Sequence, residues 1–107
     1  MKREVAKGST SVLDRVLVRD TSVTTKVQGL TGLAYNTASM TLYYIRSGQS
    51  AMTQITTTDA TVGTWTSGGF KAVDGTHAPG LIEIGYPDAC LASGADSVVF
   101  YLRGATN

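Results

Sequence analysis

Apolar and polar positions alternate with period two along much of the chain, which is the signature of half-buried strands. Over residues 12–18, Val12, Val16 and Val18 fall on one face and Arg15 and Arg19 on the other. Leu13 and Leu17 interrupt the polar side, so both faces of this first strand are expected to be partly covered. In residues 40–46, Met40, Leu42 and Tyr44 alternate with Thr41, Tyr43 and Ile45. Ser47-Gly48-Gln49-Ser50 follows as a turn, and residues 51–57 are the expected hairpin partner. Residues 62–65 and 70–73 are predicted as short extended pieces, ended by Ser67-Gly68-Gly69 and Asp74-Gly75. Over residues 80–86, Ile82, Ile84 and Tyr86 oppose Leu81, Glu83 and Gly85. Residues 97–102 form the most apolar strand and are predicted to be central.

Two interruptions differ in kind. Residues 21–36 have weak periodicity and carry Gly29 and Gly32, which predicts a long loop with one short strand at most. Between Pro87 and Gly94, a proline suited to a first helical turn and a glycine suited to its exit predict a single turn of helix. Six or seven short strands separated by Gly-rich turns predict an all-β fold, an immunoglobulin-like antiparallel β-sandwich. A small barrel is the alternative. Trp65, Ile84 and Val99 are expected near the core.

Composition supports this assignment. Thr, Val, Ser and Gly are abundant and the straight-chain helix formers are scarce, and β-branched residues pack well on a pleated surface. A chain of 107 residues has the size of one domain, taken as residues 1–107 with a short basic N-terminal arm at about residues 1–8. That arm holds Lys2, Arg3 and Lys7, diluted by Glu4. The net charge of +1 argues against a dedicated nucleic-acid binder, whose affinity depends on many phosphate contacts. No apolar run approaches the ~20 residues of a membrane-spanning helix. Neither a membrane nor a specific nucleic acid is therefore an expected partner.

The residue supply for catalysis is thin. One His, one Cys and eight scattered carboxylates offer no metal-binding spacing, and no cofactor is expected. His77 is the only possible imidazole base, and Asp74-Gly75-Thr76-His77-Ala78-Pro79-Gly80 reads as an exposed turn. Cys90 lies in an apolar run and reads as a small buried hydrophobe that cannot form an intrachain disulfide. Ser67-Gly68-Gly69 precedes a strand and so lacks the helix N-terminus that lets a glycine-rich loop hold phosphate. The aromatic residues are core candidates, except that Tyr43 and Tyr44, like Phe100 and Tyr101, must point to opposite faces of their strands. The expectation is that the chain is not an enzyme.

Several ordered blocks carry a resemblance. Lys7-Gly8-Ser9-Thr10-Ser11 leads into a strand, and Gly29-Leu30-Thr31-Gly32-Leu33 precedes Tyr43-Tyr44. Gly63-Thr64-Trp65-Thr66-Ser67-Gly68-Gly69-Phe70-Lys71 is a further block. Val73-Asp74 with Pro79-Gly80, Pro87-Asp88-Ala89 with Leu91-Ala92-Ser93-Gly94-Ala95, and Leu102-Arg103-Gly104-Ala105-Thr106-Asn107 complete the set. Together they resemble a family of small proteins encoded among the structural genes of tailed bacteriophages and in viral metagenomes. The resemblance implies a virion-associated, immunoglobulin-like module of baseplate, tail, neck or capsid decoration, made in the host cytoplasm.

Proteins that the chain resembles generally run on past the final block into another apolar strand, whereas this sequence ends at Asn107. In an immunoglobulin-type order the further strand would lie beside residues 97–102. The fold is therefore expected to lack or exchange its last strand. Ser97, Val98, Val99, Phe100, Tyr101 and Leu102 become the candidate interaction residues, meeting other virion proteins or a second copy in a homo-oligomer. Residues 5–18 or 21–36 could instead fold back over that edge. Two other functions stay open. A host-surface glycan module would use exposed aromatics such as Tyr43 or Trp65, and a small phage inhibitor would bind a host protein.

Overall fold

The structure, a computed structural model, describes residues 5–26 and 28–104. Residues 1–4 of the basic arm and Ala105-Thr106-Asn107 of the final block lie outside the described residues. The described residues form six strands in order: β1 (Leu13–Leu17), β2 (Thr41–Arg46), β3 (Thr53–Ile55), β4 (Phe70–Asp74), β5 (Ala78–Gly85) and β6 (Val98–Arg103). A 3-10 turn, Asp88–Leu91, directly follows Pro87, in keeping with the predicted helical turn.

The strands form two three-stranded sheets, ordered β1-β5-β4 and β3-β2-β6, with every neighbour antiparallel. This order is that of strands B, E, D and C′, C, F in an immunoglobulin-type sandwich, with β1 to β6 standing for B, C, C′, D, E and F. The antiparallel sandwich read from the alternation is thus the fold of the chain.

The core lies between the sheets because each strand turns one set of alternate side chains inward. Leu42 and Ile55 from one sheet meet Phe70, Ile82 and Ile84 from the other, closed by Leu33, Met40, Tyr86 and Cys90. Phe70 has no exposed surface. The rings of Tyr86 and Phe100 stack at 4.0 Å between centroids and 11° between planes, joining β6 to the segment that leaves β5. Tyr86 also donates its hydroxyl to Asp14 Oδ2 at 3.0 Å, so the inward acid of β1 is satisfied.

Several boundaries and assignments differ from the sequence reading. Residues 62–65 are turn rather than strand; the segment instead lies over β5, with Gly63 N–H donating to Glu83 Oε1 at 2.7 Å and Trp65 Nε1 to the Tyr86 carbonyl at 3.0 Å. Trp65 is consequently half-buried beside the sheet and not in the core. Residues 97–102 were expected to be central; β2 is the central strand, and β6 lies at an edge. Val99 points outward and is 58% exposed, because Val98, Phe100 and Leu102 take the inward positions.

The long loop between β1 and β2 is tied to the β1 sheet. Arg19 bridges to Gly29, and Leu30 N–H donates to the Val18 carbonyl at 2.8 Å. Here two backbones touch. Gly80 has φ +83°, and a Cβ on it would lie 2.5 Å from Gly29 Cα, so only glycine fits.

Candidate functional site

The two faces of the β3-β2-β6 sheet have different tasks. Leu42 opposite Leu102 and Tyr44 opposite Phe100 face the core. On the outer face the register sets Tyr43 opposite Tyr101, Ile45 opposite Val99 and Thr41 opposite Arg103. Directly opposed side chains on one sheet face are neighbours, so these residues share one outward strip of two tyrosines and two aliphatic side chains. Tyr101 is 56% exposed, while Tyr43 and Ile45 on the central strand are half-buried.

The edge of β6 adds backbone groups to this strip. Ser47 N–H donates to the Ser97 carbonyl at 2.9 Å, which fixes the phase of the ladder. In an antiparallel pair, alternate residues exchange hydrogen bonds with the neighbour. Val99, Tyr101 and Arg103 therefore bond to β2. Val98, Phe100 and Leu102 turn their N–H and C=O groups to the other side, where no described residue supplies a backbone partner. Neither candidate cover lies there. Between β1 and β2, Gln28 and Leu30 bond to Asp20 and Val18 just beyond the end of β1, and the N-terminal segment bonds through Gly8 N–H to Leu91 and Ser11 N–H to Asp88. Lys7 reaches Asp96, just before β6 begins.

Of the six residues singled out from sequence, Val98 to Leu102 thus lie on one strand, with Val99 and Tyr101 outward and the other three inward. Ser97 immediately precedes the strand. Sequence reasoning missed Ile45 as a member of the surface, although its place beside Tyr43 in the outward half of the alternation was visible.

Other groups with chemical potential are engaged or enclosed. His77 is an exposed turn residue, its side chain 83% accessible, and its Nδ1 meets Asp74 Oδ2 at 2.8 Å. That contact, with the backbone N–H groups of His77 and Thr76, holds Asp74 below the usual carboxylate range. Cys90 is buried, and the loss of solvent pushes its thiol up to about 11, far from a reactive thiolate. Glu83 is a buried carboxylate on the outward side of β5, bonded to Arg15 Nε at 3.0 Å and Arg15 Nη2 at 2.9 Å as well as to Gly63.

A cleft of about 250 Å³ beside β4 is lined by Leu33, Tyr35, Phe70 and Ala72 together with Asp59 and Lys71. This is smaller than the ~300–1,000 Å³ of ordinary ligand clefts, and its two charges pair with each other at 3.3 Å. Among the described residues no group of three or more His, Cys, Asp or Glu side chains could hold a metal ion.

The sheet order makes the chain an immunoglobulin-type sandwich whose outward apolar strip runs along an edge strand. Compared with protein-family models, curated proteins and solved structures, the chain finds no match.

Proposed function

We propose that the chain is a non-enzymatic structural or interaction module of a bacteriophage particle, and that β6 with its outer face is its contact surface. The observation that carries this reading is the coincidence, on one strand, of exposed apolar side chains with backbone groups that have no partner among the described residues. Val99 and Tyr101 are more than half exposed on the same β6 whose Val98, Phe100 and Leu102 backbone groups face outward. Soluble sandwiches ordinarily protect such an edge with charge, proline or a bulge, and β6 has none of these before Arg103. An edge of this kind is suited to strand addition.

The particle context rests on the resemblance of the ordered blocks from Lys7-Gly8 to Gly104-Ala105. The glycan alternative draws less support. Trp65 donates its ring N–H to the Tyr86 carbonyl, and Tyr43 stands on the outer sheet face between Gln54 of β3 and Tyr101 of β6 and not in the cleft beside β4.

Mass spectrometry of purified particles of the phage that encodes the chain tests the proposal. The expected result is the chain at fixed copy number per particle, lost when Val99→Lys is introduced. Its absence from particles while abundant in the infected cell would overturn the particle reading and favour an inhibitor of a host protein.

A further inference from the structure

We infer that the occupant of the β6 edge is the β6 strand of a second copy of this chain, joined antiparallel about a two-fold axis through Phe100. The inference rests on the proposal that β6 is the contact surface, and it fixes the partner and the register.

A two-fold strand pairing must be self-complementary, because the same patch serves both copies. Three conditions select the register. Side chains must keep their faces, so inward residues have to oppose inward residues. The outward-turned backbone groups of Val98, Phe100 and Leu102 must oppose one another. Apolar side chains should meet apolar side chains.

Setting Phe100 opposite Phe100 of the second copy meets all three. Val98 then faces Leu102, giving three pairs that each exchange two backbone hydrogen bonds. Shifting the register by two residues either way leaves only two such pairs. In one direction it sets Val99 against Arg103, and in the other it sets Tyr101 against Ser97. In the favoured register Val99 faces Tyr101 twice on the outer face. The inward Val98, Phe100 and Leu102, half-buried at the present edge, gain cover from their counterparts.

Charge agrees with the antiparallel sense. Asp96, bonded through Oδ1 to Lys7, precedes β6 with an 86% exposed side chain, and the exposed Arg103 ends it. Two-fold pairing brings Arg103 of each copy beside Ser97 of the other, adjacent to Asp96, at both ends of the contact. Parallel pairing in register would set Arg103 beside Arg103 and Asp96 beside Asp96. The resulting continuous sheet runs β3-β2-β6 into β6-β2-β3 of the second copy.

Sedimentation of the purified chain across a concentration series tests whether the pairing exists, and cysteine cross-linking tests its register. Expected is a shift to twice the monomer mass as concentration rises. Val99→Lys with Tyr101→Lys puts like charges opposite and should raise the dissociation constant by at least ~10-fold. Val99→Lys with Tyr101→Glu puts opposite charges in the same places and should restore dimerisation. These side chains are exposed in the monomer, and circular dichroism verifies that both variants remain folded. A mixture of Val99→Cys and Tyr101→Cys chains should oxidise to the mixed disulfide in preference to either homodimer, since opposed Cα atoms in such a pair lie ~4.5 Å apart.

A monomer at every concentration, or equal dimerisation of the two charge variants, overturns the self-pairing. Preferential Val99→Cys homodimers overturn the register. Loss of particle incorporation by Val99→Lys in a chain that is monomeric at every concentration refutes self-pairing alone and leaves β6 as a contact for another protein.

Discussion

Removing Arg15 should destabilise the chain more than neutralising the acid it pairs with, and the reason lies in unequal burial. The Glu83 side chain is 3% exposed, whereas that of Arg15 is 55% exposed. In Glu83→Gln the amide oxygen still accepts from Gly63 N–H, and the guanidinium turns to water, so the cost should be ~1 kcal/mol. In Arg15→Met the carboxylate stays enclosed with Gly63 N–H as its remaining described donor. Breaking a fully buried pair in this way costs ~3–5 kcal/mol, and water reaching the vacated Arg15 site reduces that to ~2–3 kcal/mol. The double replacement Arg15→Met with Glu83→Leu removes both charges and should return to within ~1 kcal/mol of the parent. Urea unfolding followed by Trp65 fluorescence measures all three, with Arg15→Met lowering the midpoint by ~1–2 M at an unchanged slope. An Arg15→Met midpoint equal to or above that of Glu83→Gln would refute the argument. So would a double variant as weak as Arg15→Met alone, because the cost would then not come from a stranded charge.

Other expectations follow from single contacts. Gly80→Ala combines a left-handed backbone with overlap against Gly29 and the Val18 carbonyl, for a cost of ~2–4 kcal/mol and a melting temperature more than ~10 °C lower by calorimetry. Because burial raises the Cys90 thiol to about 11, the folded chain holds that proton after the unfolded chain has lost it. Stability should therefore fall as pH rises from the ordinary thiol range toward 11, and the slope should be smaller in Cys90→Ala. Aromatic disulfide reagents should leave Cys90 unmodified until the chain unfolds. His77→Ala touches only an exposed turn and should change unfolding free energy by less than ~0.5 kcal/mol and leave particle incorporation intact.

The fold was legible in sequence wherever one strand face is polar. In β5 the alternation of Ile82, Ile84 and Tyr86 against Leu81, Glu83 and Gly85 assigned the buried face correctly. It failed in β6, where Val98 to Leu102 are all apolar and period two is silent. Only the register with β2, Tyr44 against Phe100, shows that Val99 faces outward. The same apolar run made β6 resemble a central strand, since hydrophobicity reports cover without saying whether cover comes from this chain or another. The alternation sets Glu83 opposite Ile82 and Ile84 but carries no sign of its burial, because the turn over residues 62–65 that covers it is a tertiary contact with no local signal. The surface itself was half legible: β6 and the alternation that sets Ile45 beside Tyr43 are visible in the sequence, while the register that brings Ile45 opposite Val99 is not.

The Tyr86–Phe100 stack also bears on how the chain would carry force. Tension applied lengthwise through β6 loads its ladder with β2 in shear, so the cross-strand hydrogen bonds of Thr41, Tyr43, Ile45 and Ser47 resist together and do not open one by one. Phe100 passes part of that load through its ring to Tyr86 and, by way of the Tyr86 hydroxyl, to Asp14 on β1. The pull is thereby shared between both layers, which makes β6 a suitable tether in any assembly that has to survive mechanical stress.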